Sequence, residues 1–247
     1  MKNKINIAIL IGVFLSFQAY ALESPFPSRL TDEGITIPNA SVVGEGQGRV
    51  LRGSMPINTE RDNIDQLVRA KVNHVLIFKT SVKGDVEKEI EALKTAGFEE
   101  NQIHAVDFAW KEIKDYKLAC LQTLDGLSFL RDAYNTKGKT VYLHCTVGED
   151  RTGYLSGLFR QITEHGTADK YFKEEMCENG YEAGNPQKPQ NVVKAIRESL
   201  TPLYFQMSEL IRTKKITLDT LDRKACDIKV DNIRAKMPIC QKSSRLQ

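Results

Sequence analysis

The chain has 247 residues, room for one sizeable core with a modest appendage, and a formal net charge of only +3. So small a surplus excludes the global basic surface that nucleic-acid binding requires. Apart from the extreme N-terminus there is no long apolar run, and even that one is shorter than the ~20 residues of a membrane-spanning helix.

The N-terminus reads as an export signal. Lys2 and Lys4 give a positive start, residues 5–17 are almost wholly apolar, and Ala19-Tyr20-Ala21 offers a small-x-small cleavage site. Residues 1–21 are therefore expected to be removed, with cleavage after Ala21 favoured over an uncleaved membrane anchor. The two lysines leave with the signal, which takes most of the net charge. The mature form is expected in the periplasm or outside the cell, with no transmembrane span. Five cysteines remain (Cys120, Cys145, Cys177, Cys226 and Cys240), and oxidising surroundings favour pairing among them. An odd count leaves one thiol over. One reactive thiol with up to two bridges fits, and Cys226 with Cys240 is the first guess for a pair.

Residues 22–47 hold glycines and prolines and read as an extended lead-in. Arg49-Val50-Leu51-Arg52 is a short strand candidate ending at Gly53. Thr59 to Lys71 has helical spacing at Ile64, Leu67 and Val68, with Thr59 as N-cap. His74 to Phe78 is a strand-length apolar run, and Asp85 to Ala96 an amphipathic helix stopped by Gly97. Gln102 to Val106 reads as a strand, followed by a loop through Asp107-Phe108-Ala109-Trp110. A long helix carries Leu118, Leu121, Leu124, Leu127, Phe129 and Leu130 and closes at Gly138. Thr140 to His144 is a β-branched and aromatic run, and Thr152 to Glu164 is helical again. Further helices are expected around 168–178 and 190–200, and after about 203 no clear period continues. Strands alternating with helices imply an α/β fold, a central mainly parallel sheet covered on both faces. The boundaries drawn are 48–202 for the domain and 203–247 for a C-terminal helical extension or tail.

The chemistry concentrates in Val141 to Gly153. A strand delivers the chain to a tight loop and a helix leaves it, so successive backbone N–H groups can turn inward as an anion nest at a helix N-terminus. Cys145 would sit at the floor of that nest. Gly148 permits the turn, and Arg151 folds back so that its planar fork can hold two oxygens of a tetrahedral anion. The same field favours a thiolate. Thr152 can donate to the sulfur, while His144 braces from behind.

These residues resemble the cysteine-based protein tyrosine phosphatase superfamily, whose signature is H-C-x5-R followed by Ser or Thr. His144, Cys145, Gly148, Arg151, Thr152 and Gly153 all match. Val50-Leu51-Arg52-Gly53-Ser54-Met55-Pro56 is similar to the opening segment of small dual-specificity phosphatases. Thr167 to Tyr181 is similar to their helix with a Glu and a closing Gly-aromatic pair. About residues 48–182 carry the likeness, which implies a dual-specificity phosphatase-like fold.

The resemblance implies a metal-free mechanism with no cofactor. The Cys145 thiolate attacks phosphorus to give a phosphocysteine, and Arg151 with the loop amides stabilises the equatorial oxygens. An Asp before the long helix protonates the leaving group. Asp107 is the choice, since Asp107-Phe108-Ala109-Trp110 is similar to the acid loop of phosphatases acting on inositol polyphosphates. Asp115 is its rival, with a helix N-terminal role as the alternative. Thr146, Val147, Gly148, Glu149 and Asp150 form the rest of the substrate loop. Lys111, with Lys114, Lys117, Lys79 and Lys83, forms a candidate basic rim. Phe108 and Trp110 are candidate pocket walls. Glu149 stands where lipid-directed relatives often carry Lys, and it repels a second phosphate unless it points away.

The expected partner is a phosphorylated protein or an inositol phosphate. Two other readings stay open at this point. One is a different anion-loop cysteine enzyme, a sulfurtransferase or arsenate reductase, and the other is a pseudophosphatase that binds phosphorylated ligands without turnover.

Overall fold

The computed structural model describes residues 24–57, 63–111, 113–228 and 237–246. The expected signal segment lies outside the described residues, and so does the N-cap assigned to Thr59.

Five strands form one sheet in the order β1-β2-β5-β3-β4. They are β1 (Ser41–Glu45), β2 (Arg49–Gly53), β3 (His74–Phe78), β4 (Ile103–Val106) and β5 (Thr140–His144). β1 runs antiparallel to β2, and the other pairings are parallel. The central strand, β5, is buried along its entire length. Alternation along the strands divides the core in two. Leu51, Val75, Ile77 and Tyr142 face one side, where Ile64 and Leu67 of α1 (Ile64–Arg69) and Val86 and Leu93 of α2 (Asp85–Thr95) cover them. Val50, Leu76, Phe78, Val141 and Leu143 face the other side. There they meet α3 (Tyr116–Tyr134) and α4 (Asp150–Glu164). Burial on both faces is why β3 and β5 read as continuous apolar runs rather than alternating ones.

The mainly parallel sheet between helical layers is the fold class the sequence predicts. Two segments fall differently from the boundaries drawn above. β1 lies inside the stretch read as an extended lead-in, and Val43 packs into the core. The helix α7 (Leu200–Arg212) crosses position 202 and buries Leu203, Tyr204, Met207 and Leu210 in the same cluster as the sheet. The expected helix around 168–178 is broken into α5 (Ala168–Tyr171), a π turn (Phe172–Met176) and a 3-10 turn (Cys177–Asn179), with α6 (Gln190–Glu198) following. Among the described residues, no helix is long and apolar enough to cross a membrane.

Two disulfides tie the last described segments down, and neither is the expected Cys226–Cys240 pair. Cys120 in α3 bonds Cys226, and Cys177 bonds Cys240. The two tail cysteines pair with the body rather than with each other. Cys145 is free and buried.

Candidate active site

The loop from Cys145 to Glu149 joins β5 to α4, and its first four carbonyls are each held by a donor outside the loop. The Cys145 carbonyl accepts from His144 Nδ1 at 2.9 Å. The Thr146 carbonyl accepts from the Met55 amide at 3.0 Å, and the Val147 carbonyl from the Ser54 hydroxyl at 2.8 Å. The Gly148 carbonyl accepts from Asn39 Nδ2 at 2.9 Å and from Arg52 at 2.7 Å. In a planar trans peptide the next residue's N–H points opposite to the carbonyl. Fixing four successive carbonyls outward therefore turns the amides of Thr146, Val147, Gly148 and Glu149 toward the hollow above the sulfur. Successive amides turned inward in this way have the geometry of an anion nest.

Gly148 is required on two counts. Its φ is +70°, and an added Cβ would lie 2.4 Å from the carbonyl carbon and oxygen of Gly53. Rigid backbone at that distance leaves no side chain room there.

Cys145 lines a cavity of about 210 Å³ shared with Thr146, Val147 and Arg151. Arg151 is folded back, its guanidinium donating to Thr146 Oγ1 at 3.2 Å. Burial raises the Cys145 thiol pKa most strongly. Arg151's charge, the Thr152 hydroxyl and the Thr152 N–H together outweigh it and hold the thiol below its ordinary value. Thr152 Oγ1 is buried without an oxygen or nitrogen partner among the described residues, so its hydrogen is available to the sulfur. No side chain caps α4 either. The helix dipole adds its field at this end.

Behind the nest lie buried charges that the motif alone does not show. His144 Nε2 sits 2.8 Å from Glu89 Oε1, both side chains fully buried. The two groups lie within ion-pair distance, the imidazole carrying its charge when protonated. Burial disfavours the charged imidazole, but Glu89 and the Cys145 carbonyl prevail and raise its pKa. Arg52 is fully buried, reaching the Glu175 carbonyl at 2.6 Å and Glu175 Oε2 at 3.1 Å. Glu175 stands on the π turn, a helix irregularity of the kind often met at functional sites.

Several expected site residues fall elsewhere. Glu149 does not face the nest: its carboxylate accepts from the Ser24 hydroxyl at 2.9 Å and from Asn185 Nδ2 at 3.0 Å, and is 1% exposed. It therefore points away, the condition under which an acid there is tolerable. Phe108 is a core residue and not a pocket wall, stacking on Phe78 with centroids 4.5 Å apart. Trp110 does line the cavity, together with Pro189 and Val192.

The basic rim also shrinks. Lys79 is buried and ion-paired with Asp85, because its strand end lies against the start of α2. Lys117 pairs with Asp227 at 2.5 Å and so faces the C-terminal segment. Lys111 is exposed, its Nζ 5.9 Å from the centroid of the Trp110 ring. Lys83 is exposed as well.

Asp107 is exposed on the loop after β4 and is not among the residues lining the cavity. Its backbone carbonyl accepts from Gln122 at 2.5 Å, which fixes the loop against α3. Asp115 is the N-cap of α3, accepting from the Leu118 amide at 3.0 Å.

Sequence reasoning missed Glu89, Arg52, Asn185 and Lys188. Arg52 was in view as part of a strand, and its charge in an otherwise apolar run was the available signal. The others sit on distant segments with no local pattern.

A free thiol with lowered pKa, an arginine fork and inward amides thus meet at one end of an α/β sheet, an arrangement suited to an oxyanion. No family model matches the chain, and no curated protein matches it. Among solved structures, the core catalytic domain of PP-IP phosphatase SIW14 from S. cerevisiae in complex with citrate is similar at 21% identity. The match covers 56% of this chain and 74% of that one, with a TM-score of 0.43. P. aeruginosa TpbA is similar at 15% identity over 74% of this chain and 88% of that one, with a TM-score of 0.43. PTPMT1 is similar at 13% identity over 71% and 96%, with a TM-score of 0.41.

Proposed function

We propose that the protein is a phosphomonoester hydrolase working through a phosphocysteine on Cys145. The observation that carries this reading is the outward fixing of four loop carbonyls around a thiol already biased toward thiolate. Amides and the Arg151 fork then converge where three equatorial phosphoryl oxygens develop charge. Thr152 releases the sulfur's negative charge to the attack and stabilises it again as the leaving group of the second step.

Asp107 is the proposed general acid. It sits three residues before Trp110 on one loop, and catalytic groups in unliganded sites commonly tighten only when substrate binds. Asp115 is already committed to its helix.

Aryl phosphates, phosphotyrosine above all, are the proposed substrates. Trp110, Pro189 and Val192 give the cavity apolar walls suited to a ring. With Lys79 and Lys117 committed elsewhere, inositol phosphates are the weaker class. The four remaining cysteines are paired with one another, so none serves as the resolving thiol of a reductase. The same two bridges support export to an oxidising compartment.

The test is phosphate release in EDTA from phosphotyrosine peptide, phosphoserine peptide and inositol hexakisphosphate, for wild type and Cys145→Ser. Release that survives EDTA and vanishes in the serine variant is expected, fastest on phosphotyrosine. Release by Cys145→Ser contradicts the mechanism, and binding without release by wild type indicates a pseudophosphatase.

A further inference from the structure

Lys188 lies 38 positions from Asp150, outside the loop motif, yet its ammonium ends between the loop's two acids. Its Nζ is 2.5 Å from Asp150 Oδ1, 3.1 Å from Glu149 Oε2 and 2.7 Å from the Gly180 carbonyl. The side chain is 5% exposed. An ammonium has three N–H donors and no acceptor, so these contacts use all three and leave none for a substrate. Lys188 therefore acts through the loop and does not bind substrate itself.

The need for it is electrostatic. Glu149 and Asp150 are adjacent acids among the residues that line a cavity that must admit a dianion, and although the Glu149 carboxylate is turned away toward Ser24 and Asn185, its charge stays beside the loop. Unbalanced, they would repel the phosphate and oppose ionisation of the sulfur, as Asp150 already does. We infer that Lys188 is a positioning residue for phosphoryl transfer, cancelling one of the two acidic charges and holding both carboxylates back from the incoming phosphate. The inference deepens the phosphatase reading and rests on it for its kinetic consequence alone.

A purely structural rival exists: Lys188 staples residues 180–188 to the loop, and its charge is incidental. A charge-counting experiment separates the two. Cys145 alkylation by iodoacetamide is followed across pH for wild type, Lys188→Met, Glu149→Gln and the double variant. The other charged or titratable groups around the sulfur are Arg151, the His144–Glu89 pair, Arg52 with Glu175, and the Tyr142 hydroxyl, which burial keeps neutral. All are common to the four proteins.

Lys188→Met leaves two acids uncompensated, and its alkylation midpoint is expected about one unit above wild type, as for a like charge added near a titrating group. Glu149→Gln removes an acid and moves the midpoint down. The double variant carries the wild-type charge balance and returns close to the wild-type midpoint. At pH below the wild-type midpoint, kcat/KM of Lys188→Met on p-nitrophenyl phosphate falls roughly tenfold, following the thiolate fraction.

A wild-type midpoint in folded Lys188→Met, or a double variant no closer to wild type than Lys188→Met, overturns the inference. Should Lys188→Met fail to fold, Glu149→Gln decides it: a lowered midpoint supports the charge role and an unmoved one refutes it. Alkylation requires no turnover, so failure of the phosphatase reading, seen as no phosphate release by wild type, stays distinct from failure of this one.

Discussion

Arg52 donates to the Gly148 carbonyl across 2.7 Å from a guanidinium that no solvent reaches. The first strand beside β5 thus holds the back of the oxyanion loop. Glu175 compensates Arg52 and is itself also paired with Arg160 at 2.7 Å. Replacing Arg52 with Met removes a buried partner but leaves Glu175 its second one, so the loss should sit at the low end for broken buried pairs, about 3 kcal/mol. We expect a lower melting temperature together with a fall in kcat/KM. Arg52→Lys should not restore activity, because one ammonium cannot supply the fork that reaches both Gly148 and Glu175. Chemical denaturation beside steady-state kinetics checks this, and full activity in Arg52→Lys would contradict it.

The two candidate acids give opposite expectations. Asp107→Asn should cost ~10²–10⁴ in turnover on alkyl phosphates, where leaving-group protonation matters most, and much less on p-nitrophenyl phosphate. Asp115→Asn keeps an N-cap acceptor and should change neither rate nor stability appreciably. Asp115→Ala should lower stability by about 1 kcal/mol, the ordinary value of a lost cap, with kcat unaffected. If Asp115→Asn abolishes turnover of alkyl phosphates and Asp107→Asn does not, the assignment reverses.

The His144–Glu89 pair makes a pH prediction. Burial opposes the imidazolium, but Glu89 raises the folded pKa of His144 above 6.5. A raised folded value means that the stabilisation is complete below the unfolded pKa and fades as pH rises through the folded one. Glu89→Gln removes that contribution. The gap in melting temperature between wild type and Glu89→Gln should therefore be widest in mildly acidic buffer and narrow toward alkaline pH. A gap that is constant or widens with pH would show that His144 is not charged in the folded protein.

The local parts of this site were legible in the sequence. The run from His144 to Gly153 dictates strand, tight turn and helix in chain order, and Cys145, Arg151 and Thr152 stand as their spacing requires. β2, β3 and β5 were legible for the same reason, since residues buried on both faces leave continuous apolar runs. β1 was not, because Gly44 and Gly46 mark a turn while the strand pairs across a shift between Val42 and Gly44. Lys79 and Phe108 show the limit of composition. A lysine after a strand reads as a rim cation and an aromatic in a loop as a wall, until the fold supplies Asp85 and Phe78 as neighbours. Lys188, Asn185 and Glu89 meet the loop only through tertiary packing, so no window of sequence contains both the acid or base and its partner.

The central claim is that sulfur carries the phosphoryl group. Wild type and Asp107→Asn, mixed with p-nitrophenyl phosphate and quenched within a turnover, should yield a Cys145 peptide phosphorylated on sulfur when digested and sequenced by mass spectrometry. Cys145→Ser should yield none. Phosphate on another residue, or turnover with no covalent adduct at Cys145 in either protein, would contradict the account.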